Sequence, residues 1–480
     1  MSKIPLAGRP LLLAAALLAV PAAAQPSVVS LPETQTGVSL TVYNGGFAVV
    51  REVRPLALQR GMNLVRWEGV AAQIDPTTLA IRSLTSPGAL SVREQNYQYH
   101  LIGTNSVLDA AVGQRIRLTR VLGDETVVEE GVLLSQPGQG RIVRLDDGRV
   151  LVDPGGTVEL AALPEGLLSR PSLLWHLNAD RAGEHETQVS YMTNGITWKA
   201  DYVAVVNYAE DRADVTGWVT LDNQSGAAYR DARLQLLAGD VRRVQDQLQI
   251  RGGRVQEMVA YADVAPQFEE EAFFEYHLYT LDGTTTLAQR ETKQMELLSA
   301  TDAGVRRRLV FDGGGHFYPV RQRPGAGGAT SEMSAAVVLE LENTEANGMG
   351  MPLPAGTVRV YKADREGRLQ FLGEDRIHHT PRNERLRLYI GDAFDVVGTR
   401  RQVSERRLSD TVREYTVEVE VRNRKETPAE VAVVERVYGD WTVTEHSHDF
   451  EQLDARTLEF PLTLGPDETA TVRYTVRVQY

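Results

Sequence analysis

Residues 191–240 read YMTNGITWKADYVAVVNYAEDRADVTGWVTLDNQSGAAYRDARLQLLAGD, and a two-residue rhythm of apolar side chains runs through them. Alternate side chains of an extended strand point to opposite faces. Trp198, Ala200, Tyr202, Ala204, Val206 and Tyr208 therefore share one side, which is predicted to face a core. A second strand groups Val215, Gly217, Val219 and Leu221, and a third groups Ala232, Leu234 and Leu236. Asn223-Gln224-Ser225-Gly226 supplies the turn between them, because Asn, Ser and Gly adopt the backbone conformations that reverse a chain. The stretch reads as a sheet layer. It holds no pattern that names a reaction.

The same residues carry a family likeness. Trp198-x-x-Asp201-Tyr202, Gly217-Trp218, Asn223-x-Ser225-Gly226, Tyr229-x-Asp231-Ala232-x-Leu234 and Ala238-Gly239-Asp240 resemble the signature of domain-of-unknown-function family 4139, which includes the mucoidy-inhibitor-like proteins. Thr292-Lys293-Gln294 with Leu297-Leu298, the run PAGTVRVY at 354–361, and Phe371-Leu372-Gly373-Glu374-Asp375 resemble its later blocks, so the likeness spans about residues 181–480. It implies an exported, β-rich protein without an established activity. Members with a coiled coil ahead of this region differ from this chain, whose preceding sequence is of strand type.

Working outward, 480 residues exceed what one core organises, and several domains are expected. Lys3 and Arg9, the apolar run 11–20 and Ala22-Ala23-Ala24 form the three parts of a secretory signal peptide, residues 1–24, with cleavage after Ala24. The apolar run is shorter than the roughly 20 residues a membrane span needs. No stable span is therefore expected once the leader is removed. With no cysteine in the chain, lipid anchoring through a cysteine and disulfide bonding are both excluded. Losing Lys3 and Arg9 takes the net charge from −13 to −15, which disfavours nucleic acid and anionic lipid as partners. The sharpest basic run, Arg306-Arg307-Arg308, reads as a solvated strand end.

The chain divides by pattern into an N-terminal β domain at 25–110, a small SH3-like barrel insert at 111–163, a central β-sandwich at 164–400 and a C-terminal immunoglobulin-like domain at 401–480. The insert shows hairpin turns such as Asp147-Gly148, but no aromatic residues from which to build a peptide groove. Residues 164–178 read as a helical or coil connector. Within the central domain, 241–270 reads as a long surface loop, after which Phe274, Tyr276, Leu278 and Thr280 resume the strand rhythm. In the last domain Tyr415, Val417, Val419 and Val421 alternate, as do Leu458 to Leu464 and Val472 to Val478.

Candidates for chemistry are thin. His446 and His448, at i and i+2 beside Asp449, are the best metal-ligand pair among the nine histidines, while His378 and His379 would point apart on a strand. Asp201 and Asp231 are candidates for acid–base work, or else residues that fix turns and register. Trp198, Tyr202, Trp218 and Tyr229 form either a sugar-stacking platform or core, with Trp218 on the outward face. No catalytic, cofactor or metal residue is assigned from these. The fold expected is mainly β: antiparallel sandwiches with a barrel-like insert and an immunoglobulin-like end. The function expected is an exported, non-catalytic protein binding an envelope protein or glycan. The alternatives are an envelope hydrolase acting on glycan or peptide, and an outer-membrane β-barrel, to which the alternating C-terminal strand ending at Tyr480 points.

Overall fold

The computed structural model describes residues 28–135, 140–239, 241–243, 267–312 and 331–480. The leader read at 1–24 and most of the loop read at 241–270 lie outside them. Within the described residues the protein is mainly β, built from several multi-stranded sheets, none of which closes on itself. Its described residues form two compact units, one drawn from residues 1–36, 53–70 and 80–189 and the other from residues 37–52, 71–79 and 190–480. The division falls within the strands Phe47–Leu58, Ile74–Ser83 and Gly183–Asn194.

The smaller unit holds a four-stranded sheet and a five-stranded one. In the first, Gly61–Glu68 runs parallel to Val28–Ser30 and antiparallel to Ser172–Ala179. Residues 172–178, read as connector, are therefore strand; Leu173, Trp175 and Leu177 alternate into the core, and the coil reading overlooked that period of two. The second sheet is the insert, whose strand order leaves Val150–Val152 and Thr157–Leu160 as open edges. The barrel reading is corrected here. Strands of three and four residues offer few backbone pairs, and Pro154 in the link between them has no N–H to donate.

The larger unit repeats one five-strand pattern three times. Its first instance comprises Ile196–Val206, Arg212–Asn223, Tyr229–Ala238, Thr285–Leu287 and Glu291–Asp312. The next comprises Glu291–Asp312, Ser331–Glu342, Gly356–Ala363, Leu369–Ile377 and Arg385–Arg407, and the last Arg385–Arg407, Val412–Asn423, Ala429–Arg436, Thr457–Leu464 and Thr469–Gln479. In each, the second strand pairs antiparallel with the first and the fifth, and the third with the fourth. The third strand also runs parallel to the opening strand of the preceding pattern: Gly356–Ala363 along Ile196–Val206, and Ala429–Arg436 along Glu291–Asp312. Tyr229–Ala238 pairs in the same sense with Gly37–Tyr43. The fifth strand of one pattern is thus the first of the next. This sharing is why two strands reach 22 and 23 residues.

A buried asparagine closes the second strand each time. Asn223, Asn343 and Asn423 are fully enclosed. Asn223 donates Nδ2 to the carbonyls of Ala227 and Ala288, and Asn423 does the same to Thr427 and Gly465. Asn343 donates to Met351 and Pro381. Each amide ties the loop after its own strand to the chain approaching the fifth strand.

Candidate functional site

The three patterns differ most in the link between their third and fourth strands. In the middle pattern residues 364–368 suffice, a tight turn in which Asp364 Oδ1 accepts the N–H groups of Glu366 and Arg368. The first spends 239–284 on the same connection, and the third 437–456. Length beyond a short turn is not needed to join the strands, so these additions are where function is best sought.

Within the first addition, Phe268–Phe273 and Tyr276–Leu281 form a hairpin that extends the sheet from Tyr229–Ala238. Its base is core: Phe268, Leu278, Tyr279 and Leu281 are buried, and Tyr279 donates its hydroxyl to the Pro352 carbonyl at 2.8 Å. Burial pushes the Tyr279 hydroxyl well above its ordinary value, and nearby Glu270 adds to the effect. The tip is the opposite. Phe273 pairs with Tyr276, leaving Phe274 and Glu275 as the turn, with Phe273 54% and Phe274 86% exposed. Phe274 has φ of 59°, in the left-handed region that bulky residues avoid. The hairpin carries Glu269, Glu270, Glu271 and Glu275 and neither lysine nor arginine.

Beside the turn lies a cleft of about 380 Å³ lined in part by Gly239, Glu275, Tyr276, His277, Pro352 and His379. A Cβ on Gly239, which has φ of 145°, would lie 2.3 Å from the Tyr276 ring, so the glycine lets that ring rest on backbone. His277 Nδ1 and Glu270 Oε1 are 2.7 Å apart, and His379 Nδ1 accepts the Ala355 N–H at 3.2 Å.

Asp201, one of the two acids of the sequence reading, sits elsewhere, on the outward face of Ile196–Val206. It is 5% exposed, with Lys199 Nζ at 2.9 Å, Arg359 Nη1 at 3.4 Å and the Thr220 hydroxyl at 3.4 Å. Gln294 donates in turn to Thr220, and Arg359 also meets Glu374. These residues come from Ile196–Val206, Arg212–Asn223, Glu291–Asp312, Gly356–Ala363 and Leu369–Ile377, and the fold gathers them on one face. Two cations and a hydroxyl surround the carboxylate, and the cluster fixes the register of neighbouring strands. Asp231 has φ of 48° at a bulge, where its N–H donates to Thr286 Oγ1, so it too sets register.

The aromatic platform is not formed. Trp198, Tyr202 and Tyr229 are buried, with Tyr202 donating to the Pro354 carbonyl and Tyr229 bonded to Ser225. Trp218 is half-buried, and its indole nitrogen, like that of Trp198, is enclosed without a hydrogen-bond partner. His446 Nδ1 faces the His448 carbonyl and its ring packs edge-on against Phe450, while His448 bonds Ser447. No cluster of three or more potential metal ligands occurs among the described residues. The basic run lies within Glu291–Asp312 and not at a strand end, because that strand runs on into the next pattern; Arg307 pairs with Glu210, and Arg308 with Glu340 and Glu459. Ser83 and His185 form a bonded pair at 3.1 Å, but both are buried, and the other ring nitrogen is spent on the Arg181 carbonyl.

The sequence reading missed the tip. It took Phe274 as a strand residue and ran the loop to 270, whereas strand begins at Phe268. A Phe-Glu turn has no glycine, asparagine or aspartate to announce it. The only signal was two adjacent phenylalanines inside an acidic run. Among the described residues no helix is long and apolar enough to cross a membrane. No family profile and no curated protein matches the chain.

Proposed function

We propose that this is an exported protein, related to domain-of-unknown-function family 4139, that binds a protein or glycan of the cell envelope or exterior and catalyses no reaction. The observation that carries the binding role is the unequal third-to-fourth strand link: one scaffold pattern closes it with residues 364–368, and another fills it with a hairpin presenting two exposed phenylalanines. Export rests on the leader-like residues 1–24. The open sheets speak for sandwiches over an outer-membrane barrel.

Two experiments test the proposal. Cell fractionation with N-terminal sequencing should find a chain beginning at Gln25, released without detergent; a cytosolic chain retaining Met1 would sink export. Crosslinking in envelope extract should yield a discrete adduct, and its absence over several growth conditions would count against binding. A hydrolase has one observation in its favour, the His277–Glu270 pair, whose histidine lines a cleft. It requires that the protein cleave peptide or glycan and that Glu270→Gln abolish the cleavage.

A further inference from the structure

We infer that the turn at Phe273-Phe274 is a docking tip that inserts into an apolar pocket on another protein, one rimmed by lysine or arginine. The inference rests on the binding role proposed above and names the kind of partner. Two observations converge on it. The hairpin belongs to an addition that the scaffold does without in its middle pattern. Phe274 is 86% exposed while held at φ of 59°, so folding gains little burial from the ring and bears the strain of its backbone. Where a large aromatic is barely buried and conformationally disfavoured, its use lies outside the fold. Large aromatics are also the side chains that anchor protein interfaces from within a pocket.

The charge selects the occupant. Glu269, Glu271 and Glu275 are exposed on the hairpin that carries the two rings, and no basic residue of the hairpin offsets them. A complementary rim is therefore basic. A second copy of this chain fits poorly, because a symmetric tip-to-tip contact sets glutamates against glutamates on a protein of charge −13. An anionic bilayer is repelled for the same reason. The ring of Tyr276 lies 6.2 Å from that of Phe274, and the cleft behind it offers Glu275 and Tyr276 to a basic side chain reaching past the tip.

The test uses the mature chain and two immobilised sets of peptides sharing one aromatic-aliphatic core, flanked by lysine and arginine in one set and by glutamate in the other. The wild-type protein should bind the basic set at least about tenfold more tightly than the acidic set, with the preference weakening as salt rises. Phe274→Gly should lose about tenfold or more on the basic set while its thermal midpoint stays level or rises, which separates lost docking from lost folding. A Glu269→Lys and Glu271→Lys double variant should invert the preference. Equal binding by wild type and F274G would overturn the tip while leaving a binding role intact. Failure of the wild type to prefer the basic set would overturn the partner chemistry. A concentration-dependent dimer abolished by F274G in sedimentation, or flotation with phosphatidylcholine vesicles abolished by it, would replace the proposed partner by a second copy or a membrane.

Discussion

A buried carboxamide needs acceptors for its N–H groups and a donor for its oxygen, because each group left unpaired away from water is destabilising by about 1–3 kcal/mol. Asn423 meets the requirement with the carbonyls of Thr427, Leu464 and Gly465 and with the Lys425 N–H. Asn423→Ala should therefore lower stability by about 2–3 kcal/mol, read from the urea midpoint. Asn423→Asp should do at least as much harm at neutral pH, since a carboxylate would face those carbonyls with nothing to donate. A loss under about 0.5 kcal/mol would mean that the amide is not a tie between loops. Phe274 is the contrary case: replacing it with glycine relieves a left-handed backbone that disfavours bulky residues by about 1–2 kcal/mol, partly offset by glycine's freer unfolded chain. The turn role of Asn223 was legible from Asn223-x-Ser225-Gly226. Its repetition was legible too, in Val219-x-Leu221-x-Asn223, Leu339-x-Leu341-x-Asn343 and Val419-x-Val421-x-Asn423, had the chain been compared with itself.

At the scale of elements, the period of two located strands well and their partners poorly. Which edges a strand shares depends on contacts far away in sequence, and nothing local says that 22 consecutive residues serve two sandwiches in turn. The same blindness hid the ladders on the last sheet. Arg401, Glu418 and Arg473 stand opposite one another on Arg385–Arg407, Val412–Asn423 and Thr469–Gln479, and Arg406, Glu414 and Arg477 form a second row. The hydrogen bond from Arg477, together with Arg406, holds the Glu414 carboxyl below its usual range. A carboxyl whose folded pKa is depressed adds stability above its unfolded value, near 4.5, and that stability is lost as pH falls through the folded value. Thermal midpoints of the wild type should accordingly drop more between neutral pH and pH of about 3 than those of an Arg406→Gln, Arg477→Gln variant. Salt of about 0.5 M should narrow the gap, because the two arginines are exposed. Identical acid profiles for the two proteins would show that the rows contribute nothing, as many surface pairs do.

For the molecule as a whole, the absence of cysteine leaves stability to the packed interiors of its sheets, and buried tyrosines report on those interiors. Tyr191, Tyr202, Tyr229, Tyr279 and Tyr474 all lie in the larger unit, and burial pushes every one of their hydroxyls up. A group whose folded pKa is raised contributes stability that is present in full below its unfolded value and is lost as pH climbs toward the folded one. For tyrosine that window opens near pH of about 10, and each such residue then withdraws about 1.4 kcal/mol per pH unit. Five acting together approach the whole stability of an ordinary domain, about 5–15 kcal/mol, within one or two units. Titrated with alkali, the protein should show two steps in tyrosinate absorbance: an early one from exposed rings, and a later, steep one coincident with loss of near-ultraviolet circular dichroism. A single gradual step centred near pH of about 10, with the dichroism intact, would mean that these five rings are open to solvent and that the sheets do not pack as described.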